Sequence, residues 1–254
     1  MTESRHEQVV QRQFGAQASA YLSSAVHAQG EEFAQLRERL SATAGARVLD
    51  LGCGAGHVSF QVAPLAGEVV AYDLSAEMLD VVASAAAERG LGNIRTERGA
   101  AENLAFADGE FDFVFSRYST HHWRDVGQAL REVRRVLKPG GAACFIDVAA
   151  PGLPLLDTYL QTVEVLRDTS HVRDYSPAEW ARLIGEAGLV FESGKRQRLR
   201  LEFSSWVERM RTPEVMRQAI RALQLSVGAE VRDYFEIAED GSFSTDVLVL
   251  WASN

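Results

Sequence analysis

The spacing of apolar positions changes near residue 46, and this change predicts where the central fold begins. Over residues 4–42, apolar side chains recur at intervals of three and four, as at Phe33, Leu36 and Leu40, with charged residues between them. That spacing is typical of amphipathic helices. From residue 46 onward the chain shows short apolar runs, the first being ARVLDL, which ends in an acid and a glycine turn. Such a run predicts a buried strand.

Strand-like and helix-like segments then alternate as far as residue 149. Helices are predicted at GHVSFQVAPLA, SAEMLDVVASAAAERG and DVGQALREVRRVLKPGG, the last of them ending at Pro139 and the two glycines that follow it. Strands are predicted at EVVAYD, NIRTER, FDFVFS and AACFIDVAA. Because parallel strands need crossover helices, this alternation predicts an α/β protein with a parallel sheet that helices cover on both faces.

The pattern loosens after Ala150 and closes again near the end of the sequence. SPAEWARLIGEAG predicts a helix with Ser176 as N-cap, Pro177 in the first turn and Gly188 at the end. LVFESGKRQRLRLEF predicts a strand with a polar kink, and its KRQRLR run suits a solvated sheet edge. SSWVERM and PEVMRQAIRALQL predict further helices, and FSTDVLVLW a last strand. We expect one domain over 1–254, divided into an N-terminal helical segment (1–45), a core (46–149), cap helices (150–176 and 203–236) and a closing helix and strands (177–202 and 237–254).

Composition narrows the class of protein. The 254 residues are 46% hydrophobic and 24% charged, which is ordinary for a globular protein. With 26 basic and 35 acidic residues the net charge is −9, which argues against a nucleic-acid partner. No run approaches the roughly 18 apolar residues of a membrane span, and the first residues lack a signal-peptide pattern. We therefore expect no stable membrane insertion and a cytoplasmic location. Cys53 and Cys144 do not form a disulfide framework.

The stretch VLDLGCGAGHVSF carries the clearest chemistry. Its glycines, Gly52, Gly54 and Gly56, lie between a predicted strand and a predicted helix. Glycine allows a tight turn and the close approach of a ligand, and the following helix begins with free amide groups. Asp73 ends the next strand, where an acid accepts hydrogen bonds from a ribose diol. These residues predict a nucleoside-binding crevice at the carboxyl ends of the strands, whereas a plain glycine turn is the alternative.

The glycine spacing indicates which nucleoside would bind. A dinucleotide fingerprint reads G-x-G-x-x-G, but this turn reads G-x-G-x-G and follows Asp50. A carboxylate there would repel a pyrophosphate and attract the ammonium group of an amino acid. The expected cofactor is therefore S-adenosyl-L-methionine, with S-adenosyl-L-homocysteine as its product. Two other classes stay open, namely an NAD(P)-dependent oxidoreductase and a non-catalytic protein that binds the cofactor.

Four segments together resemble a known family. They are VLDLGCGAGH, AYDLSAEML, GAAENLAFADGEFDFVFS and REVRRVLKPGG, within residues 46–149. The chain resembles the class I S-adenosylmethionine-dependent methyltransferases, and most of all the ubiquinone/menaquinone C-methyltransferase-like (UbiE-like, methyltransferase type 11) group. The resemblance implies a Rossmann-like seven-stranded sheet of order 3-2-1-4-5-7-6 with strand 7 antiparallel, N-terminal helices and a helical cap insertion. FSTDVLVLW would be strand 7.

The resemblance also implies roles for cofactor-binding residues. The turn residues would hold the methionine end: Asp50, Gly52, Cys53, Gly54 and Gly56. The residues expected near the nucleoside are Asp73 at the ribose, Leu74, Met78, Ala101 and Glu102 at the adenine, and Ser116 facing the cofactor. Many relatives carry an acid before the Ala-Glu pair, where this chain has Ala100. Tyr21 and Phe14 could cover the cofactor and face the sulfonium through their rings.

The segment SRYSTHHWRDV, residues 116–126, would border the methyl acceptor. Adjacent histidines point in different directions, and no Cys/His spacing accompanies them, so we expect no metal site. We expect one of the two to face the pocket, His121 in preference to His122, and the other to be structural, for example as a cap of the next helix. A histidine there suits proton transfer.

Other residues near this segment are further candidates. Arg117 and Tyr118 are further catalytic candidates. Arg117 could bind an acceptor carboxylate or enolate through two hydrogen bonds, or could instead pair with an acid such as Asp125. In the cap, His171, Arg173 and Tyr175 could bind the acceptor or tie the cap to the core. N-P-P-[YF] is absent after strand 4, which argues against DNA amino-group and protein-glutamine methylation. We expect a small-molecule acceptor in a pocket beyond strands 4 and 5. C-, O- and N-methylation and the oligomeric state, a homodimer included, stay open.

Overall fold

The computed structural model of the protein describes residues 5–15 and 30–254. In chain order its helices are α1 (Arg5–Gly15), α2 (Glu32–Ser41), α3 (His57–Val62), α4 (Ala76–Glu88), α5 (Val126–Val136), α6 (Pro154–Arg167), α7 (Pro177–Glu186), α8 (Phe203–Arg209), α9 (Glu214–Ser226) and α10 (Ala229–Tyr234). Its strands are β1 (Arg47–Leu51), β2 (Glu68–Asp73), β3 (Ile94–Arg98), β4 (Phe111–Arg117), β5 (Leu137–Ala149), β6 (Val190–Leu201) and β7 (Phe243–Ser253), and a 3-10 turn spans Thr120–His122.

The described strands form one seven-stranded sheet in the order β3-β2-β1-β4-β5-β7-β6. Strands β1 to β5 pair in parallel, whereas β7 is antiparallel to both β5 and β6. The order and the antiparallel last strand confirm the predicted fold. The carboxyl ends of β1, β2 and β4 therefore meet at one edge of the sheet, beside the point where the strand order reverses from β1 to β4. Ligands of open α/β sheets bind at such an edge.

Both faces of the sheet are buried, which explains why its strands read as continuous apolar runs. Alternate residues of a strand point to opposite faces. In β1, Leu49 packs on one side with α5 and α7, while Val48 packs on the other side with α2 and α3. In β7, Leu248 and Val249 divide in the same way. The edge strand β6 is largely exposed, as its KRQRLR run predicts.

Most helix boundaries follow the predicted caps. Ser75 accepts a hydrogen bond from the Met78 backbone at the start of α4. Ser176 and Glu179 form a reciprocal capping box at the start of α7, with Pro177 in its first turn. One boundary was predicted wrongly. The helix expected to reach Pro139 ends at Val136, because Leu137 is already extended and pairs with Phe111 as the first residue of β5.

A second layer of helices covers the sheet edge that carries the glycine turn. Helices α6, α8, α9 and α10, which we call the cap, share an apolar cluster of their own that includes Leu160, Trp206, Ile220 and Phe235. The segment 168–176 returns from the cap to the core. It is fixed there because the amide groups of Val172 and Arg173 donate to the carbonyl of His121 at 2.8 and 3.3 Å. No helix in the described part of the chain combines the length and apolar character that crossing a membrane would require.

Candidate active site

Two adjoining cavities lie at the carboxyl ends of the parallel strands. The first, with a volume of about 1040 Å³ including its open mouth, is lined by the glycine turn after β1 and the end of β2. The second, of about 600 Å³, lies between the 3-10 turn and the cap. Phe14, Tyr118 and His122 line both cavities, and we call the place where these three residues lie the passage. Volumes in this range suit a cofactor or small-molecule ligand.

The glycine turn needs its glycines. Gly52, Gly54 and Gly56 have φ of 70°, 51° and 84°, a backbone region that residues with a Cβ rarely adopt. A Cβ on Gly52 would lie 1.9 Å from Oγ of Ser119, so the turn can approach the loop after β4 only without a side chain. Of the predicted turn residues, Gly52, Cys53 and Gly54 line the first cavity, whereas Gly56 does not.

Asp73 fastens the turn to the end of β2. One oxygen of its carboxylate accepts a hydrogen bond from the Gly54 amide at 2.9 Å, and the other accepts from the Ser75 amide at 2.9 Å. Burial raises the pKa of Asp73 in spite of these hydrogen bonds. The carboxylate lines the first cavity, with lone pairs remaining for a ligand hydroxyl.

Asp50 is a buried acid in the same cavity. Its side chain is 1% exposed, and it accepts hydrogen bonds from the Ser59 amide at 2.9 Å and the Ser59 hydroxyl at 2.6 Å. Burial, with a contribution from the charge of Asp73, raises the pKa of Asp50 to about 7. Two acids that both have raised pKa values suit a site that receives a cation, because a positive ligand would favour their ionised forms.

The predicted nucleoside residues lie on one wall of the first cavity. Leu74, Met78, Ala101 and Glu102 all line it. Glu102 is already engaged, because Oε1 accepts a hydrogen bond from the Asp125 amide at 3.1 Å. Tyr72 and Gly99 complete this wall and were not predicted.

Three other positions singled out in the sequence do not line either cavity or lie outside the described residues. Ser116 is fully buried in β4 and is not among the residues lining either cavity, and its hydroxyl has no hydrogen-bond partner in the ranges 5–15 and 30–254. Ala100 faces neither cavity, and its carbonyl accepts a 3.5 Å hydrogen bond from the Tyr72 hydroxyl. Tyr21 lies outside the described residues.

His121 forms a buried pair with an acid of β5. Its Nδ1 lies 2.6 Å from Oδ1 of Asp147, and the two side chains are 13% and 3% exposed. Burial lowers the pKa of His121, but the charge and hydrogen bond of Asp147 outweigh it and raise the pKa to about 9. The imidazole is therefore cationic at neutral pH. It lines the second cavity only.

His122 lies at the passage, and its ring is neutral whereas that of His121 is cationic. Its Nδ1 lies 3.2 Å from the carbonyl of Ser170. Because a carbonyl only accepts, Nδ1 carries the proton and Nε2 is left as an acceptor. Burial and the neighbouring charge of His121 lower the pKa of His122, so the ring is neutral at neutral pH. Its ring also meets that of Phe14 at 4.9 Å between centroids.

The structure corrects two expectations about this segment. His122 does not cap the next helix, because Asp125 is the N-cap of α5 and accepts a hydrogen bond from the Gln128 amide. Arg117 pairs with Glu32 rather than Asp125. Its Nε and Nη2 lie 2.8 and 2.7 Å from the same carboxylate oxygen of Glu32, and both side chains are buried. Arg117 lines the first cavity from this position.

Tyr118 adopts a strained backbone at the passage, with φ of 52°. Such strain in a non-glycine residue costs of the order of 1 kcal/mol or more and is common at functional sites. Burial raises the pKa of Tyr118 to about 12, so its phenol keeps its proton at neutral pH. Tyr118 lines both cavities.

The three cap residues proposed for the acceptor line neither cavity. The Nε2 of His171 lies 2.9 Å from Oε1 of Gln161, and burial lowers the pKa of His171 to about 3. Arg173 bridges Asp157 and Glu179 at 2.9 Å each, and so ties α6 to α7. Tyr175 packs edge-on against Trp180. Their acceptor-binding roles stay predictions.

Sequence reasoning missed the acids of the second cavity. Asp168, Asp174 and Glu164 line it, and Asp147 lies behind His121. Asp147 alone left a signal, as a single acid within the apolar strand AACFIDVAA. The others lie in polar cap segments, where acids are ordinary.

One nitrogen of His121 and one oxygen each of Asp147 and Asp174 lie within 4.8 Å of one another, as metal ligands do. However, the two oxygens of Asp147 already receive four hydrogen bonds, from Thr120, Val148 and both the backbone and the ring of His121. The Asp147 carboxylate is therefore committed to a hydrogen-bonded network, which does not suit it to bind an ion.

Comparison with known proteins identifies related chains. Residues 49–145 match the family model described as a methyltransferase domain. The uncharacterized protein YafE of Escherichia coli (strain K12) is 56% identical over 199 residues, which cover 78% of this chain and 96% of YafE. The uncharacterized methyltransferase YcgJ of Bacillus subtilis (strain 168) is 36% identical over 222 residues, covering 87% of this chain and 88% of YcgJ.

Two crystal structures are similar over nearly their whole length. That of YcgJ superimposes with a TM-score of 0.83 and covers 89% of this chain and 99% of its own. That of a putative methyltransferase from Bacillus halodurans C-125, 30% identical, gives a TM-score of 0.84 and covers 88% of this chain and 99% of its own.

Proposed function

Because the chain belongs to the family of S-adenosylmethionine-dependent methyltransferases, we propose that it transfers a methyl group directly to a small-molecule acceptor held in the second cavity. One observation carries this proposal. A cavity lined by the glycine turn shares Phe14, Tyr118 and His122 with a second cavity that is lined by buried polar groups. Donor and acceptor molecules in these two cavities would meet at the passage.

The residues of the first cavity fit S-adenosyl-L-methionine. Asp50 offers a buried carboxylate for the ammonium group, and the glycine turn gives a surface without side chains for the methionine end. Asp73 would accept hydrogen bonds from the ribose hydroxyls. Leu74 and Met78 offer apolar surface for the adenine. When bound, this cofactor supplies an electrophilic methyl group on a sulfonium sulfur.

The residues of the passage would align the reactants and exclude water. Methyl transfer is an in-line displacement, so its rate depends on holding the acceptor atom and the methyl group on one axis. The rings of Phe14 and Tyr118 would enclose the sulfonium, whose positive charge an aromatic face attracts. Neutral His122, with Nε2 as an acceptor, would receive a hydrogen bond from the acceptor molecule and so help to orient it.

The experiment is calorimetric titration of the protein with S-adenosyl-L-homocysteine, with Asp73→Ala and the exposed control Asp80→Ala in parallel. We expect one-to-one binding by the wild type, an affinity at least tenfold lower for Asp73→Ala, and no change for Asp80→Ala. Absence of binding by the wild type would contradict the proposal. A methylated product found after incubation with S-adenosyl-L-methionine and an acceptor would exclude a purely non-catalytic role.

A further inference from the structure

Two buried carboxylates of the second cavity each keep one oxygen atom without a hydrogen-bond partner among the residues that the structure describes. They belong to Asp168 and Asp174, which are 2% and 1% exposed, and the oxygen is Oδ2 in both. A buried acceptor without a partner is unfavourable, because it has lost its hydrogen bonds to water. Both residues line the second cavity, and two such atoms beside one cavity indicate a ligand that supplies hydrogen-bond donors.

A third acceptor faces the same space. The Nε2 of His122, which carries no proton in the tautomer fixed by Ser170, lies 4.0 Å from Oδ2 of Asp168. This distance is too long for a hydrogen bond between the two atoms. It leaves room for a donor group of a ligand that contacts both of them.

The cationic side chains around this cavity already have partners. Arg167 lies 3.4 Å from Glu164 and donates to the carbonyl of Trp206 at 3.0 Å. Arg209 also has a partner. The imidazolium of His121 is bound to Asp147 at 2.6 Å. None of these groups gives a hydrogen bond to the two Oδ2 atoms.

The number of donors required selects the chemical class of the ligand. A hydroxyl group has one proton to donate, whereas a primary ammonium group has three. The three acceptors beside this cavity therefore match an ammonium group. We propose that the methyl acceptor is an amine, bound as its ammonium ion by Asp168, Asp174 and Nε2 of His122. This inference rests on the proposed function.

N-methylation at this position balances without another reactant. One proton of the ammonium group passes to the carboxylate of Asp174, which frees the nitrogen lone pair. The lone pair forms the new N–C bond to the methyl group while the electrons of the C–S bond return to sulfur. The product is an N-methylammonium ion, and Asp174 gives its proton to solvent when the product leaves. Burial and the nearby Glu164 raise the pKa of Asp174 well above its usual range, so this group holds a proton readily, and the positive charge of a bound ammonium group favours the ionised form that accepts it.

The test uses the whole protein saturated with S-adenosyl-L-homocysteine and compares probes of one shape and three charges. Calorimetry would measure the binding of 2-phenylethylammonium, 2-phenylethanol and 3-phenylpropanoate, with ethylammonium as a smaller ammonium probe. We expect at least one ammonium probe to bind, at least tenfold tighter than the neutral and anionic probes. Equal or tighter binding of the alcohol or the carboxylate, or no binding of either ammonium probe, would overturn the proposal.

Two variants and one matched control test the residues. Asp174→Asn and Asp168→Asn each replace a carboxylate by an uncharged amide, whose nitrogen donates hydrogen bonds instead of accepting them. Each change should weaken ammonium binding at least tenfold. Asp168→Asn can retain the hydrogen bonds that Oδ1 accepts from Ser170 at 2.8 and 2.6 Å. Asp157→Asn changes an acid of the cap that pairs with Arg173 outside the cavity, and should leave the affinity unchanged.

The binding of S-adenosyl-L-homocysteine separates the two proposals. A protein that does not bind this compound contradicts the proposed function itself. A protein and variants that bind it with unchanged affinity, but show no preference for the ammonium probes, contradict only the amine assignment. Loss of ammonium binding in Asp157→Asn to the same extent as in Asp174→Asn would also count against it.

Discussion

The Nδ1 of His121 lies 2.6 Å from Oδ1 of Asp147, in a buried pair that joins the loop after β4 to the neighbouring strand β5. The same carboxylate accepts hydrogen bonds from Thr120 and from the backbone of Val148. One acid therefore fixes the whole 3-10 turn that carries both histidines. It also makes the two rings differ, because the positive charge held on His121 disfavours a second one on His122.

This pair should make stability depend on pH. The pKa of His121 is raised from 6.5 to about 9 in the folded state, so its contribution is complete below pH 6.5 and is lost as the pH rises through 9. Burial raises the pKa of Asp147, but the charge of His121 and the hydrogen bonds outweigh burial and lower the pKa below 3.8. The contribution of Asp147 to stability is therefore present above pH 3.8 and is lost in stronger acid. Asp147→Asn should therefore cost about 3 kcal/mol near pH 6 and much less above pH 9.

Denaturant unfolding at pH 6, 7.5 and 9.5 measures this effect. The matched control is Asp108→Asn, because Asp108 is 82% exposed and pairs with Arg135 at the surface. That change should cost less than about 1 kcal/mol at each pH. A cost for Asp147→Asn that does not vary with pH would show that the His121 charge is not involved.

The two histidines should titrate separately. Histidine-selective NMR of the free protein should show a His121 pKa near 9, while burial keeps His122 neutral down to at least pH 5. In Asp147→Asn, the pKa of His121 should fall well below 9, because its ion-pair partner is gone while burial remains. A His122 that protonates near pH 6.5, like an exposed imidazole, would remove its proposed role as a neutral hydrogen-bond acceptor.

Replacement of Gly52 by alanine should disrupt the cofactor cavity. The φ of 70° disfavours a Cβ by about 1–2 kcal/mol, and the Cβ would also meet Ser119 at 1.9 Å. We expect Gly52→Ala to lower the affinity for S-adenosyl-L-homocysteine at least tenfold. Ser119→Gly in the same chain should restore part of it. Gly45→Ala has the same kind of backbone, with φ of 68°, but nothing within 4 Å, and should lose only stability. Equal affinities for the two single variants would contradict this reading of the turn.

The buried pair of Glu32 and Arg117 should contribute far more to stability than an exposed pair. Glu32→Ala removes a carboxylate from beside a guanidinium whose side chain is 4% exposed, and we expect a loss of about 3 kcal/mol in denaturant unfolding. In the exposed pair of Arg182 and Glu186, whose side chains are 59% and 56% exposed, Glu186→Ala should cost less than about 0.5 kcal/mol. Similar losses in the two variants would be inconsistent with the buried geometry.

The sheet and the glycine turn were predictable because their signals are local. Strand runs, capping serines and the spacing of Gly52, Gly54 and Gly56 all depend on residues close together in the sequence. The helix end at Val136 was missed because strand pairing, a long-range interaction, overrode the local proline and glycine signal.

The buried polar partners around the two cavities could not be predicted in the same way. Glu32 and Arg117 are 85 positions apart, so the sequence suggested the nearer Asp125 as the partner. Asp168 and Asp174 reach the histidines only because the segment after α6 folds back onto the carbonyl of His121. From the sequence we expected one histidine to face the pocket. In the structure both histidines line the second cavity, where His121 is cationic and His122 is neutral.

The position of β7 has a consequence for synthesis on the ribosome. Strands β1 to β5 pair with one another, and they precede the cap in the chain. In contrast, β6 pairs only with β7 among the described strands, and β7 is translated after every cap helix. A nascent chain can therefore assemble its cofactor-binding half first. Strand β6 stays unpaired until β7 leaves the exit tunnel and inserts between β6 and β5.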